Sequence, residues 1–134
     1  MRNKKLDQLI LQLENHLQCW KQFNYYLSLA RSKQFDPDDE THFLEVKSLI
    51  TQELELILAL MEFPSPTKDE IHALIRGAPS VRYLSDLDEG PLRSLENQWH
   101  KIYIAWHSIL GQLKVEQRKV ESRTKWSLFG QKQS

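Results

Sequence analysis

The stretch from Leu92 to Leu113 carries apolar side chains at alternating steps of three and four residues. Its apolar members are Leu92, Leu95, Trp99, Ile102, Trp106, Ile109 and Leu113. This spacing puts them on one side of an α-helix, as in helices that pack lengthwise against other helices. The period-two alternation of a β-strand does not fit the same residues. The stretch therefore predicts a long helix whose apolar side, with its two tryptophans, belongs to the core.

Two earlier segments show the same helical spacing. The first predicted helix runs from about Asn3 to about Lys33. Its apolar positions are Leu6, Leu9, Ile10, Leu13, Leu17, Trp20, Phe23, Leu27 and Ala30. His16 falls within or beside this stripe, which predicts a residue that fixes helix register or lies at the rim, rather than a ligand.

The second predicted helix begins at Asp36, a residue suited to the N-cap, with Pro37 in the first helical position. It continues to about Phe63, where two prolines prevent its extension. Its late part, from Leu54 to Met61, has one polar member and is expected to be covered on most sides.

Local signals also bound the shorter elements. Thr67 and Glu70 predict a capping box at the start of a short helix over 67–76. Gly77 is expected to be the left-handed residue that ends it. Ser80 favours a further helical turn in the connector, and the last long helix opens at 88–91 and runs to about Arg123.

Together these patterns predict an all-α fold: an up-down bundle of three long helices plus one short helix in the second connection. The packing is expected to resemble a coiled coil. Residues 1–124 form a single helical-bundle domain in this interpretation, and residues 125–134 form an aromatic and basic C-terminal tail. A chain of 134 residues is long enough to bury a core without metals or disulfides.

Charge and cysteine content narrow the class of protein. The formal net charge is zero, but an acidic second helix lies between two basic ones. This segregation is typical of complementary packing within the chain and disfavours nucleic acid as a partner. The lone Cys19 excludes an internal disulfide. No apolar run is long enough to span a bilayer, and the basic start lacks the apolar run of a secretory signal. We therefore expect a cytoplasmic protein.

Motifs for chemistry are weak in this chain. The four glycines do not form a phosphate-binding loop, and Cys19 has no nearby histidine or second cysteine. A di-metal bundle site needs Glu-x-x-His, which does not occur here. No catalytic, cofactor-binding or metal-ligating residue is predicted, and an enzyme is the less favoured class. The alternative function is a small-molecule binder or enzyme with an aromatic pocket near Trp20, Trp99, Tyr103 and Trp106.

A candidate partner or dimer surface lies on the back of the last long helix. Ile104 points away from the tryptophan side, Ser108 and Gly111 follow on the same side, and His107 lies beside them. Two explanations fit this pattern. Either the short helix or the connector at 81–87 covers the back, or a second copy or another protein binds there.

The tail carries a second candidate, the aromatic cluster of Trp126, Leu128 and Phe129. Three roles are open for this cluster. It folds back onto the bundle, it docks into a groove of a partner, or it contacts a membrane surface, where aromatic residues beside basic ones are favoured. The function expected from the sequence is a non-enzymatic cytoplasmic protein-interaction module: an adaptor, scaffold or chaperone-like bundle, with self-association as one mode. A protein partner is expected, without cofactor, nucleic acid or transmembrane segment.

Overall fold

The computed structural model describes residues 3–133, with side chains for residues 3–123. Five α-helices account for most of these residues, and no β-strand occurs among them. In chain order they are α1 (Lys4–Ser32), α2 (Pro37–Leu60), α3 (Lys68–Gly77), α4 (Val81–Ser85) and α5 (Glu89–Gln133). The predicted all-α fold class is confirmed.

Polar side chains at the helix starts explain where the helices begin. The Asp36 carboxylate accepts the N–H of Asp39 at 3.0 Å, and the Asp39 carboxylate accepts the N–H of Asp36 at 2.9 Å. The Thr67 hydroxyl oxygen accepts the N–H of Glu70 at 3.1 Å, so Thr67 caps α3 as predicted. Glu70, however, accepts the Thr67 hydroxyl proton rather than its backbone N–H. Ser80 caps α4.

Three features of the later elements differ from the sequence predictions. Gly77 lies inside α3 without a positive φ, and Ala78 is the C-cap. A Cβ at Gly77 would lie 2.9 Å from Cδ2 of Leu95, so this glycine permits close packing against α5 rather than a left-handed turn. The second connection holds two short helices instead of one. The last helix continues past Arg123 to Gln133.

Side-chain contacts fix the directions of the long helices. Glu14, in the first half of α1, lies 3.5 Å from Lys114, late in α5. Arg31, at the end of α1, reaches Glu89 at the start of α5, with an Nη1–Oε2 distance of 2.6 Å. The contacts between α1 and α2 also run in opposite order, because the middle of α1 meets the late part of α2 and the late part of α1 meets the beginning of α2. Helix α1 is therefore antiparallel to both neighbours, and α2 and α5 are parallel to each other.

The two short helices return the chain to the end of the bundle where α2 began. Lys47 of α2 donates from Nζ to the carbonyl oxygens of Ala78 and Pro79, at 3.0 and 2.9 Å. The Glu40 carboxylate accepts the N–H of Arg82 at 2.8 Å. α3 packs on α5, and α4 packs on α1 and α2. This return explains why α2 and α5 are parallel.

The core is centred on large aromatic side chains from three helices, with Trp20, Phe23, Phe43 and Trp106 fully buried. The apolar stripe predicted on the last helix faces this core, and Trp99 and Leu113 are its two half-buried members. Its buried members are Leu92, Leu95, Ile102, Trp106 and Ile109.

Candidate functional site

The sequence-predicted surface on the back of α5 is open to solvent. Ile104 is 54% exposed and Val115 is 48% exposed. Ser108 and Gly111, between them, are exposed as well. These four residues follow steps of four, three and four, so they share one side of the helix, called here the α5 outer face. A Cβ built on Gly111 meets no atom within 4 Å, so no described part of the chain covers this position.

The short helix α3 does not cover the α5 outer face. It approaches α5 where Gly77 meets Leu95 and where Glu70 lies 3.8 Å from Lys101. Both contacts lie N-terminal to Ile104, whose side chain remains more exposed than buried. The connector helix α4 packs on α1 and α2 instead. Neither α3 nor α4 therefore covers Ile104, and the first of the two explanations for the exposed back of α5 does not hold there.

Replacing Gly111 with alanine is expected to increase the free energy of unfolding by about 0.5–1 kcal/mol. Alanine is favoured over glycine inside a helix by this amount, and no atom obstructs the new methyl group. Gly77→Ala is the matched control, because its methyl group must displace the end of Leu95 and the gain is lost. Urea unfolding at low protein concentration measures both. A Gly111→Ala variant less stable than the wild type would contradict an open face.

A row of rings lies beside the α5 outer face. His107 is exposed, and its ring meets Tyr103 edge-on with centroids 4.7 Å apart. Tyr103 stacks on Trp99 at 4.8 Å with an interplanar angle of 16°. The Trp99 indole N–H donates to the carbonyl oxygen of Trp20 at 2.8 Å. The row therefore anchors α5 to α1, and His107 belongs to it.

The centre of the alternative site, the aromatic pocket, is filled by side chains. Trp20 and Trp106 have no exposed surface. The rings of His16 and Phe63 lie against Trp106, with centroids 5.0 and 5.1 Å away. Of the two other residues named for this pocket, Trp99 is bonded to α1 and Tyr103 is stacked on it. The space that a ligand would need near the two buried indoles is occupied by the protein itself.

A polar cluster lies inside this aromatic core. His16 is fully buried, so it is not a rim residue. Its Nε2 accepts the indole N–H of Trp20 at 3.0 Å, and its Nδ1 lies 2.8 Å from Oε1 of Glu53. Because an indole N–H can only donate, Nε2 carries the lone pair and Nδ1 carries the proton. The neutral Nδ1–H form of His16 thus satisfies both bonds, and its contact with Glu53 is a hydrogen bond to a carboxylate.

Cys19 lies close to the same cluster. Burial, the charge of Glu53 and a hydrogen bond with that carboxylate raise the pKa of the Cys19 thiol to about 12. The thiolate, and not the thiol, is the nucleophile in cysteine chemistry. This direction of the pKa shift supports a structural role for Cys19.

The histidines and acids of the described residues do not form a metal site. Across the described residues, no three His, Cys, Asp or Glu side chains converge to hold a metal ion. Glu96, one turn from His100, is hydrogen-bonded to Arg31. A hydrogen bond from Arg31 also lowers the pKa of the Glu89 carboxyl. These carboxylates therefore serve an ion-pair network that holds the start of α5 on the end of α1.

A second exposed apolar surface was missed by the sequence prediction. Leu49 and Leu56 of α2 are 46% and 56% exposed, and Leu56 lies in the late part of the helix that was expected to be covered on most sides. They are one heptad apart and directly precede the buried Ile50 and Ile57. This doubled heptad is the signal that could have revealed them. The exposed side that includes Glu45, Leu49, Gln52 and Leu56 is called here the α2 outer face.

The aromatic tail candidate lies largely beyond the described side chains. The backbone of residues 124–133 continues α5, and the side chains of Trp126, Leu128 and Phe129 lie outside the described set. The three roles expected for this cluster remain predictions. Among the described residues, no helix has both the length and the apolar character needed to cross a bilayer.

No protein-family model, curated protein or solved structure matches this chain.

Proposed function

We propose that the chain is a non-enzymatic protein-interaction module whose docking surface is the α5 outer face. The observation that carries the proposal is the alignment of Ile104 and Val115 on one open side of a helix. Single exposed apolar residues are common on any protein, whereas an aligned set is typical of a surface that receives another helix. Ser108 and Gly111 lie between them and would allow a partner backbone to approach closely.

The core supports this surface as a rigid platform. The indole of Trp99 ties the middle of α5 to the backbone of α1. Arg31 holds the start of α5 through Glu89, and Gln117 donates to Asp7 at 2.8 Å near the other end of α1. A surface that is already ordered loses little conformational entropy on binding, which favours affinity.

The proposal extends to architecture, compartment and partner class. We propose an up-down bundle of helices in which α3 and α4 together lead the chain back from the end of α2 to the beginning of α5. The protein acts in the cytoplasm as an adaptor, scaffold or chaperone-like module and binds protein, a second copy included, rather than nucleic acid. The balanced formal charge of the chain supports a protein partner. The filled aromatic centre and the protonated Cys19 thiol support a role without catalysis.

A photo-crosslinking residue placed at position 104 in the native cell tests the docking surface. We expect discrete protein adducts at position 104, because its side chain lies in the proposed interface. Position 98 is the matched control, since Gln98 is exposed on a different side of α5. Mass spectrometry of the adducts identifies what is bound. Adducts at neither position, or equal adducts at both, would contradict a docking surface on this face.

A further inference from the structure

The α2 outer face resembles the α5 outer face in being apolar, exposed and linear. Leu49 and Leu56 align at a seven-residue spacing, and both are about half exposed. Gln52 lies between them and is exposed. Leu44, also on this helix, is 55% exposed. The molecule therefore carries two open apolar helix sides, one on each of the helices that flank α1.

The two faces have opposite charge. Of the six carboxylates in residues 37–60, Glu53 faces the core and Glu55 pairs with Lys68, whereas Glu45 lies on the α2 outer face itself. Glu45 lies one turn before Leu49 and is exposed. The single lysine in this range, Lys47, points the other way, since its Nζ bonds the carbonyl oxygens at 78 and 79, and burial lowers its pKa. The charge of Glu45 on the α2 outer face is therefore not neutralised by a base of its own helix.

The α5 outer face is basic at both ends. Lys101 lies three residues before Ile104, and Arg118 and Lys119 lie three and four residues after Val115. The side chain of Lys101 is 73% exposed and lies 3.8 Å from Glu70, and that of Lys119 is 57% exposed and lies 3.5 Å from Glu116. Residues 97–123 contain five bases and two acids. Arg118 is exposed and forms no ion pair among the described residues, so it is the base of this face that is free to meet a carboxylate of another molecule.

We infer that the partner of the α5 outer face is the α2 outer face of a second copy of this chain, an inference that rests on the proposed function. Ile104 and Val115 of one copy pack against Leu49 and Leu56 of the next. The free base at one end of the α5 stripe, Arg118, then lies close to Glu45. Opposite charges steer such an encounter and disfavour wrong partners.

A symmetric contact between two α5 outer faces is less favourable. Antiparallel pairing of the two stripes would bring Lys101 of one copy close to Arg118 of the other, and like charges facing each other are destabilising. A contact between unlike faces leaves one face free on each copy. Such a head-to-tail contact closes into a ring or continues as a filament.

Light scattering after size exclusion tests this contact on the full chain. The average mass of the wild type is expected to increase with protein concentration up to about 1 mM, because copies associate. It should decrease at high ionic strength, because salt screens the charges at the contact. Ile104→Glu, on α5, and the double variant Leu49→Glu/Leu56→Glu, on α2, should each raise the dissociation constant at least about tenfold. Leu11→Glu is the matched control, because Leu11 is equally exposed on α1, away from both faces.

Mixing the two monomeric variants provides the decisive result. Each retains one intact face, so the mixture should form a heterodimer and nothing larger, while circular dichroism shows that each variant is folded. A wild type that stays monomeric, or a mixture that does not pair, overturns the inference. An α2 variant that still dimerises points to a symmetric α5 contact. Crosslinks from position 104 to a different protein would contradict the inference that a second copy binds there, but they would still support the proposed docking surface. The absence of any crosslink would contradict both the inference and the proposed function.

Discussion

Trp20→Ala is expected to lower the free energy of unfolding by about 3–5 kcal/mol. The Trp20 side chain is fully buried, and its ring packs against His16 and Phe23, with centroids 6.1 and 5.7 Å away. Its loss leaves a large cavity and removes the donor to His16. Such a loss is a large share of the about 5–15 kcal/mol that stabilises a typical domain.

A pair of conservative variants separates the hydrogen bond from the cavity. Trp20 and Trp106 are both fully buried, but only the Trp20 indole N–H has a partner among the described residues. Trp20→Phe leaves the buried acceptor nitrogen of His16 without a hydrogen-bond donor. Trp106→Phe removes a buried N–H that has no acceptor among the described residues. Trp20→Phe should therefore be the more destabilising of the two by about 1–3 kcal/mol.

Urea unfolding followed by circular dichroism measures all three variants. Protein concentration must be low and constant, because self-association would add to the apparent stability. Equal losses for the two phenylalanine variants, or a larger loss at Trp106, would contradict the hydrogen-bond assignment in the core.

The helix starts were predictable because the capping interactions are local. Asp36 and Thr67 find their partners three residues along the chain. The tryptophan stripe of α5 was predictable for a similar reason, since burial of one helix side leaves a period in the sequence. The parallel direction of α2 and α5 was not predictable, because it depends on the return path through two short helices. Gly77 was misinterpreted because its close neighbour, Leu95, lies on another helix.

The candidate surface on α5 was predictable only as a choice between two explanations. The sequence shows that Ile104 points away from the core stripe, but whether α3 covers it depends on how the short helix is placed. On α2, Leu56 lies in the part from Leu54 to Met61 that was expected to be covered on most sides, and it directly precedes the buried Ile57. The width of the buried strip on a helix is set by its neighbours in space, and this information is absent from the local pattern.

The buried polar cluster illustrates the same limit. The position of His16 near the apolar stripe was visible, but its partner Glu53 lies on another helix, 37 residues away. The pairing explains why a histidine is tolerated in a filled aromatic core, because a buried polar group costs stability only when its hydrogen bonds are unmet.

Glu53→Leu is expected to lower the free energy of unfolding by about 1–3 kcal/mol, because it strands the Nδ1–H donor of the fully buried His16. His16→Leu should cost at least as much, since it strands both the Trp20 N–H and the Glu53 carboxylate. Glu55→Leu is the matched control on α2: Glu55 pairs with Lys68 at the surface, where an ion pair contributes little, and its loss should be far smaller.

The double variant His16→Leu/Glu53→Leu measures the interaction itself. If the two side chains bond as described, the double variant loses less stability than the sum of the single variants, by about 1.5–3 kcal/mol for a hydrogen bond to a charged group. The Trp20 N–H loses its acceptor in both variants that lack His16. The free-energy cost of this lost hydrogen bond is therefore the same in both and cancels in the double-mutant cycle. Purely additive losses would mean that His16 and Glu53 contribute independently. The bond would then not be the reason why a histidine lies at the centre of this core.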